Sequence, residues 1–267
     1  MASLVMVNGI PGKMATLVAN RIVTMANRYD LFDRSLSGHR GEAEIEGRKV
    51  KLVSPIDRAG LVLPKGIIVI DYTTPSSVND NIRYYAENGI PFVIGTTGVD
   101  KDRLTDVVRA NNATALVSPN MAKPIVAFLA MLKQASDAFP LLFRGYTLEI
   151  VESHQSAKKD VSGTARAAVA YFRQLGLEFE ESQIRIIRDV TEQREIGVPP
   201  EHLTGHGWHT YRIVSADKTV KFEITHNVCG RSIYVDGTIN ALEFMEAKIA
   251  FGQIGLYTMM DVITQTK

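Results

Sequence analysis

The sequence predicts an α/β protein of two domains, a parallel-sheet domain at the N-terminus and an α+β domain with an open mixed sheet after it. Three observations predict this. Over residues 3–122, short apolar runs alternate with helix-patterned stretches, as in βαβ units. Near residue 123 that rhythm gives way to closely spaced runs rich in β-formers. With 267 residues, 45% of them hydrophobic, the chain is long enough for two cores.

In order, Leu4–Val7 reads as a first buried strand, followed by glycines and a helical pattern to about Ala26. Ile67–Ile70 is a second run, closed by Asp71, and Phe92–Ile94 and Ala115–Val117 are further runs, each entered after a helix-like stretch. Ligand-binding residues of parallel sheets gather at the carboxyl ends of strands. Here those ends read Asn8-Gly9, Asp71-Tyr72-Thr73-Thr74-Pro75, Gly95-Thr96-Thr97-Gly98 and Ser118-Pro119-Asn120, all small and polar. Beyond them come a helix over Pro124–Ala138, a strand at Thr147–Val151 and a helix over Gly163–Leu175. The runs Ile184–Ile187, His209–Val214, Val220–His226 and Ser232–Val235 read as strands. Thr238–Ile263 reads as an amphipathic helical stretch that returns to the first domain. The expected domains are therefore 1–122 with 239–267, and 123–238.

The formal net charge of +1 gives no global pull toward nucleic acid or an anionic membrane. An anionic substrate needs a local basic pocket instead. The single cysteine, Cys229, cannot form an internal disulfide and suits a reducing, cytoplasmic setting. The opening MASLVMVNG reads as a strand and not as a signal peptide, and no run of about 18 apolar residues predicts a membrane span.

Gly9-Ile10-Pro11-Gly12-Lys13-Met14-Ala15 lies between the first strand and the first helix. Gly9 and Gly12 allow a tight turn and close approach to a pyrophosphate, and the helix N-terminus offers free N–H groups. The spacing is G-x-x-G-x-x-A, a variant of the Rossmann-like dinucleotide loop; small residues in a strand–turn–helix also occur where nothing binds. An acidic residue about 20 positions on would grip the ribose of NAD, and Asp30 and Asp33 lie near that distance. The strand expected there ends later, at Leu36-Ser37-Gly38, so Ser37, His39 and Arg40 are the candidates for a 2′-phosphate and favour NADPH, with NADH left possible. A solvated loop is the alternative for the same residues.

The segment Glu152–Thr164 suits an anionic substrate. Lys158 and Lys159 supply point charges, and Ser162-Gly163-Thr164 opens a helix with hydroxyls and N–H groups. His154 can deliver a proton near neutral pH. Singly, a histidine or a lysine pair is more often a packed ring or a solvated face; together, between a strand and a helix start, they form a specific combination.

Taken with these motifs, the chain resembles 4-hydroxy-tetrahydrodipicolinate (dihydrodipicolinate) reductase of the diaminopimelate route to lysine. The matching segments are G-x-x-G-x-M-A at Gly9–Ala15, DYTTP at Asp71–Pro75, GTTG at Gly95–Gly98, SPNMAK at Ser118–Lys123, ESHQSAKKDVSGTA at Glu152–Ala165, WHT at Trp208–Thr210 and EITHNVCGRSIYVDGT at Glu223–Thr238. The plant-type branch is the most similar. Bacterial members carry a second histidine where this chain has Gln155, and a proline before the Ser-Gly-Thr turn that is missing here.

The resemblance implies an NAD(P)H-dependent oxidoreductase. Gly9, Pro11, Gly12, Lys13, Met14, Asp71, Thr73, Thr74, Pro75, Gly95, Thr96, Thr97, Gly98, Ser118, Asn120 and Met121 would border the cofactor. The substrate would be a small dicarboxylate held by Lys158, Ser162, Gly163 and Thr164 and oriented by Gln155, with Arg231 beside it or at a hinge. Hydride would pass to the ring of an unsaturated imine, with His154 as proton donor and Lys158 assisting. The second domain would close onto the first about Met121–Lys123 and Arg231–Thr238. A homo-oligomer, tetramer or dimer, is also implied.

Other readings compete. His202, His206, His209 and His226 gather four of the six histidines, but glycines and strand patterns separate them, so no metal is expected. Cys229 lies in a β-rich run and reads as a packed residue rather than a nucleophile. Arg188 reads as an ordinary surface arginine. Two functional alternatives are a non-catalytic NADPH-binding regulator and a similar reductase acting on another imine or dicarboxylate.

Overall fold

A computed structural model describes residues 2–265. β1 (Ser3–Asn8) buries its last four residues, as a central parallel strand must. α1 (Lys13–Thr24) buries Ala15, Val18, Ala19 and Ile22, the i, i+3, i+4, i+7 stripe of an amphipathic helix. β2 (Tyr29–Leu31) pairs with β1. The short strands β3 (Arg34–Leu36), β4 (Gly41–Ile45) and β5 (Arg48–Val53) form a separate small sheet. The alternation resumes with β6 (Ile68–Asp71), α2 (Val78–Glu87), β7 (Phe92–Ile94), α3 (Lys101–Ala110) and β8 (Thr114–Val117). Next come α4 (Lys123–Ala138), β9 (Thr147–His154), α5 (Gly163–Gln174), β10 (Arg185–Ile187), α6 (Val190–Glu195), β11 (His206–Val214) and β12 (Lys221–Cys229). α7 (Ser232–Ala250), β13 (Gly255–Tyr257) and α8 (Met259–Thr264) end the described chain.

The chain forms two compact units, residues 1–123 with 234–267, and 124–233. In the first, six parallel strands run in the order β13-β8-β7-β6-β1-β2. Connections diverge to either side between β1 and β6, which opens a crevice at the carboxyl ends of those strands. In the second, a mixed sheet of order β10-β9-β11-β12 packs one face against α5. β11 alternates strictly, burying His209, Tyr211 and Ile213 while Trp208, Thr210 and Arg212 stay partly exposed.

Three expectations need correction. Ser232–Val235 is the first turn of α7, not a strand: Val235, Ile239 and Leu242 continue the buried pattern at helical spacing, which overrides the β-leaning Ile-Tyr-Val. Thr238–Ile263 is not one helix: α7 stops at Ala250, Gly252 and Gly255 take positive φ, and β13 joins the sheet edge beside β8. The hairpin β4–β5 was not read at all. Its turn is Glu46-Gly47, both at positive φ, and its charged residues hid the alternation. Among the described residues no helix is long and apolar enough to cross a membrane.

α7 approaches the turn after β8 closely: a Cβ on Gly237 would lie 1.7 Å from the Met121 carbonyl oxygen. Gly237→Ala is expected to lower stability by about 2–3 kcal/mol, read from the urea midpoint at unchanged slope.

Candidate active site

The crevice of the first unit is built on glycines and a buried carboxylate. Gly9 has φ +100, and a Cβ there would stand 2.3 Å from the Tyr72 carbonyl, so only glycine lets the two turns meet. Gly9 N–H donates to the Leu36 carbonyl, and Gly12 N–H to the Gly9 carbonyl. The Ile10–Pro11 bond is cis. No side chain caps the start of α1, so the first N–H groups at Lys13 and Met14 remain available to an anion. These features fit a dinucleotide pyrophosphate.

Asp71 does not border this crevice as expected. It is fully buried, with Oδ1 accepting from Thr73 N–H, Thr73 Oγ1 and Thr96 Oγ1, and Oδ2 from Asn81 and Tyr85. Both oxygens are engaged, so it braces the two turns from beneath. Thr96, also buried, belongs to the brace, and Thr73 turns its hydroxyl inward to it. Thr74, Pro75, Thr97 and Gly98 are exposed above. Asn8 extends the brace, bonding Leu36 N–H and the Tyr85 hydroxyl. A Cβ on Gly95 would meet the Tyr72 ring at 2.3 Å. Ser118 Oγ donates to the Asn120 carbonyl and Asn120 Oδ1 accepts from Ala122 N–H, so both stiffen their own turn, and the Met121 side chain is buried.

Ser37 is buried, its Oγ accepting from His39 N–H, while His39 and Arg40 are exposed. Arg40 lines a cavity of about 450 Å³ together with Arg34, Lys51 and Ser54. Arg34 and Lys51 are neighbours across the β3–β5 pair, which the sequence reading missed because it saw neither strand pairing.

In the second unit, strand register builds the site. Glu152 pairs with His209, His209 pairs with His226, and His154 pairs with Gly207. Glu152 and His154, two residues apart, therefore share a face with His209. The His154 ring occupies the space that a side chain at position 207 would take: a Cβ on Gly207 would be 2.9 Å from its Cε1. His154 Nδ1 donates to the His206 carbonyl, at 3.0 Å. A carbonyl only accepts, so the free lone pair lies on Nε2, 4.0 Å from Glu152 Oε2.

Glu152 is fully buried. Burial alone would raise its pKa, yet the nearby His209 ring and the Arg188 and Ser162 hydrogen bonds hold the carboxyl far below the usual carboxylate range. Its Oε1 takes the Arg188 guanidinium, and its Oε2 accepts from Ser162 N–H at 3.0 Å. Ser162 Oγ caps Ala165 N–H and bonds His209 Nε2 at 2.8 Å. The first N–H and the hydroxyl of the Ser-Gly-Thr turn are thus already engaged. Gly163 is exposed and Thr164 partly so at the start of α5. Lys158 and Gln155 are half-buried in the preceding turn, closed by Lys158 N–H to the Gln155 carbonyl. Arg231 lies at the same sheet end, its Nη1 2.8 Å from where a Cβ on Gly205 would stand.

Burial, with the nearby His209 ring, pushes the His154 pKa down to about 4, although Glu152 opposes this. His226 is also pushed down to about 4 by burial and His209. His206 is neutral in geometry: Nδ1 donates to the His202 carbonyl, so Nε2 accepts from Ser153 Oγ. Glu152, His154 and His209 bring ligand-type atoms within 4.8 Å of one another, but Arg188 and Ser162 N–H already occupy the carboxylate. Cys229 accepts from Trp208 Nε1 at 3.4 Å, a packing role.

A parallel-sheet unit with a glycine-rich βα turn, joined to a mixed-sheet unit, is the build of two-domain nicotinamide-dependent reductases. Residues 4–121 match the dihydrodipicolinate reductase N-terminus family and residues 124–263 the dihydrodipicolinate reductase C-terminus family; the chain belongs to this family of oxidoreductases of lysine biosynthesis. It is 41% identical over 98% of its length to 4-hydroxy-tetrahydrodipicolinate reductase 1, chloroplastic, of Arabidopsis thaliana, covering 78% of that protein. Against the probable reductase 2, chloroplastic, of Oryza sativa subsp. japonica it is 40% identical over 98% of its length, covering 83% of the relative. The structure of a dipicolinate-bound dihydrodipicolinate reductase from Paenisporosarcina sp. TG-14 superposes with a TM-score of 0.60 at 18% identity, covering 97% of this chain and 98% of that one, and confirms the fold. The cytoplasmic expectation is overturned: the four plant relatives, 40–42% identical, are all chloroplastic. A lone cysteine reports a reducing environment and cannot tell one such compartment from another.

Proposed function

We propose that the chain reduces 4-hydroxy-tetrahydrodipicolinate with NADPH, using His154 and Lys158. The observation that carries it is that His154 ends β9, the Lys158 charge acts on its ring, and Ser162 N–H, at the start of α5, bonds Glu152 two residues before His154. Two carboxylates of a ring substrate suit this set: one at the N–H groups and hydroxyl opening α5, one at the Lys158 ammonium, which forms no ion pair among the described residues. Gln155 offers an amide to orient the ring. Reduced nicotinamide, when bound, supplies the hydride. The 4-hydroxyl leaves as water, the unsaturated ring so formed takes the hydride, and His154 holds the proton destined for the adjacent ring carbon while Lys158 offsets charge as it develops.

His154 is neutral in the free protein at neutral pH, since burial and the His209 ring depress its pKa and Arg188 and Lys158 add to this. A dianionic substrate reverses that field and raises the pKa, so substrate brings the proton onto the acid. The high-pH limb of kcat/KM reports the acid of the free enzyme and that of kcat the acid of the complex. The protonated form is required, so activity falls as pH rises through the pKa. The fall in kcat is expected at least about one pH unit above the fall in kcat/KM; coincident profiles would reject this assignment.

NADPH preference is supported by the cavity beside β3. Arg40, with Arg34 and Lys51, offers cations to a 2′-phosphate. Arg40→Ala should raise the KM for NADPH about ten-fold and leave that for NADH unchanged, measured with the substrate generated by the preceding synthase. An equal change for both cofactors would remove Arg40 from the reading. The partly exposed face of the mixed sheet, with Trp208, Thr210 and Arg212, supports a homo-oligomer, and the chloroplastic relatives support a plastid setting.

His154→Ala and Lys158→Ala should each lower turnover about 100-fold or more in the same coupled assay while NADPH affinity stays unchanged. Near-normal turnover in both would discard the site.

A further inference from the structure

We infer that Arg188 is the positioning residue of the dicarboxylate site, shaping the turn that carries Lys158 without touching substrate itself. The inference rests on the proposed role of Lys158 and of the α5 N-terminus.

Arg188 follows β10, whose Ile187 pairs with Ser153 of β9, so it stands beside the end of the strand that bears His154. Its side chain is 16% exposed. Nε donates to the Lys158 carbonyl at 2.6 Å, and Nη2 to the Asp160 carbonyl at 3.2 Å and to Glu152 Oε1. Nη1 returns to the Ile187 carbonyl at 3.0 Å, which fixes the fork on its own strand. Its backbone carbonyl accepts from Ser156 Oγ at 2.7 Å. One residue therefore holds positions 156, 158 and 160. Glu152, anchored by the same guanidinium, holds position 162 through its N–H.

The charge arithmetic separates Arg188 from Lys158. Arg188 is paired with a fully buried carboxylate and its donors point at backbone carbonyls. Lys158 has its carbonyl held and its ammonium free of ion pairs among the described residues. A planar guanidinium can serve two carbonyls and a carboxylate at once, whereas an ammonium on a flexible stem cannot reproduce that fork. The effect of losing Arg188 is thus a misplaced Lys158 and a loosened helix start. A misplacement of about 1 Å in a binding group can cost up to about 100-fold.

Two variants test this, because removing one partner of a buried ion pair leaves the other uncompensated. Arg188→Lys keeps the charge. The pair Glu152→Gln with Arg188→Met removes both charges and retains an amide oxygen for Ser162 N–H. Both should raise the substrate KM about ten-fold or more with a smaller change in kcat, leave NADPH affinity unchanged, and speed hydrogen exchange at residues 156–162 in the folded protein. Wild-type KM and wild-type exchange in either folded variant would overturn the inference. Global unfolding of both would also overturn it, making Arg188 a residue of the fold. Lys158→Met is measured alongside. If it keeps wild-type substrate affinity, the site reading fails; if it loses affinity while the Arg188 variants keep theirs, only the positioning role fails.

Discussion

The mixed-sheet unit depends on a carboxylate buried away from solvent. Glu152 sits in the middle of a sheet, where an unpaired charge would cost several kcal/mol. It is tolerated because three groups converge on it, and each belongs to a different piece of chain: Arg188 after β10, Ser162 at the start of α5, and His209 on β11. Those contacts are also the ones that define the site. The same charge that must be compensated therefore draws the turn, the helix and the histidine face to one point.

The parallel-sheet unit repeats the device with different residues. Asp71 ends β6, is fully buried, and gathers Thr73, Thr96, Asn81 and Tyr85. Through Tyr85 it reaches Asn8 and so the strand that carries the glycine turn. Loops at strand ends are intrinsically the mobile part of such sheets. A buried acceptor with several donors fixes them where a ligand needs a preformed edge. Glycines then bring the backbones together: Gly9 against Tyr72 and Gly95 under the Tyr72 ring.

Much of this was legible in the sequence, and the rest was hidden for identifiable reasons. Apolar runs announced β1, β6, β7 and β8 because parallel strands buried on both faces have no polar alternation to disguise them. The segment His154–Thr164 was legible because its residue types cluster in sequence. Arg188 was not, since its partners are carbonyl oxygens thirty residues away and nothing in Arg-Asp-Val marks it. Asp71 was seen but misassigned: its place at a strand end is visible in the sequence, whereas its burial depends on Asn81 and Tyr85 of α2. The Ser232–Val235 error came from local β-propensity overruled by the burial pattern of a long helix.

If His154 is the acid, as proposed, the electrostatics also account for a site with one histidine in its turn. Gln155 is neutral and cannot hold the proton. Burial and the His209 ring, with Arg188 and Lys158 adding to them, make the neutral form of His154 the stable one, which at first looks unsuited to proton donation. Those cations, however, are what a dianion binds. Arg188 is committed to Glu152, so in the proposed complex a dianion would neutralise mainly the Lys158 charge. The free protein then keeps an uncharged ring in a buried place, as burial prefers, and acquires the proton only with the ligand that uses it. Glu152 stays ionised, because its Arg188 and Ser162 donors are held by the fold. Under the proposed assignment, its fixed charge would steady the imidazolium without taking the proton away.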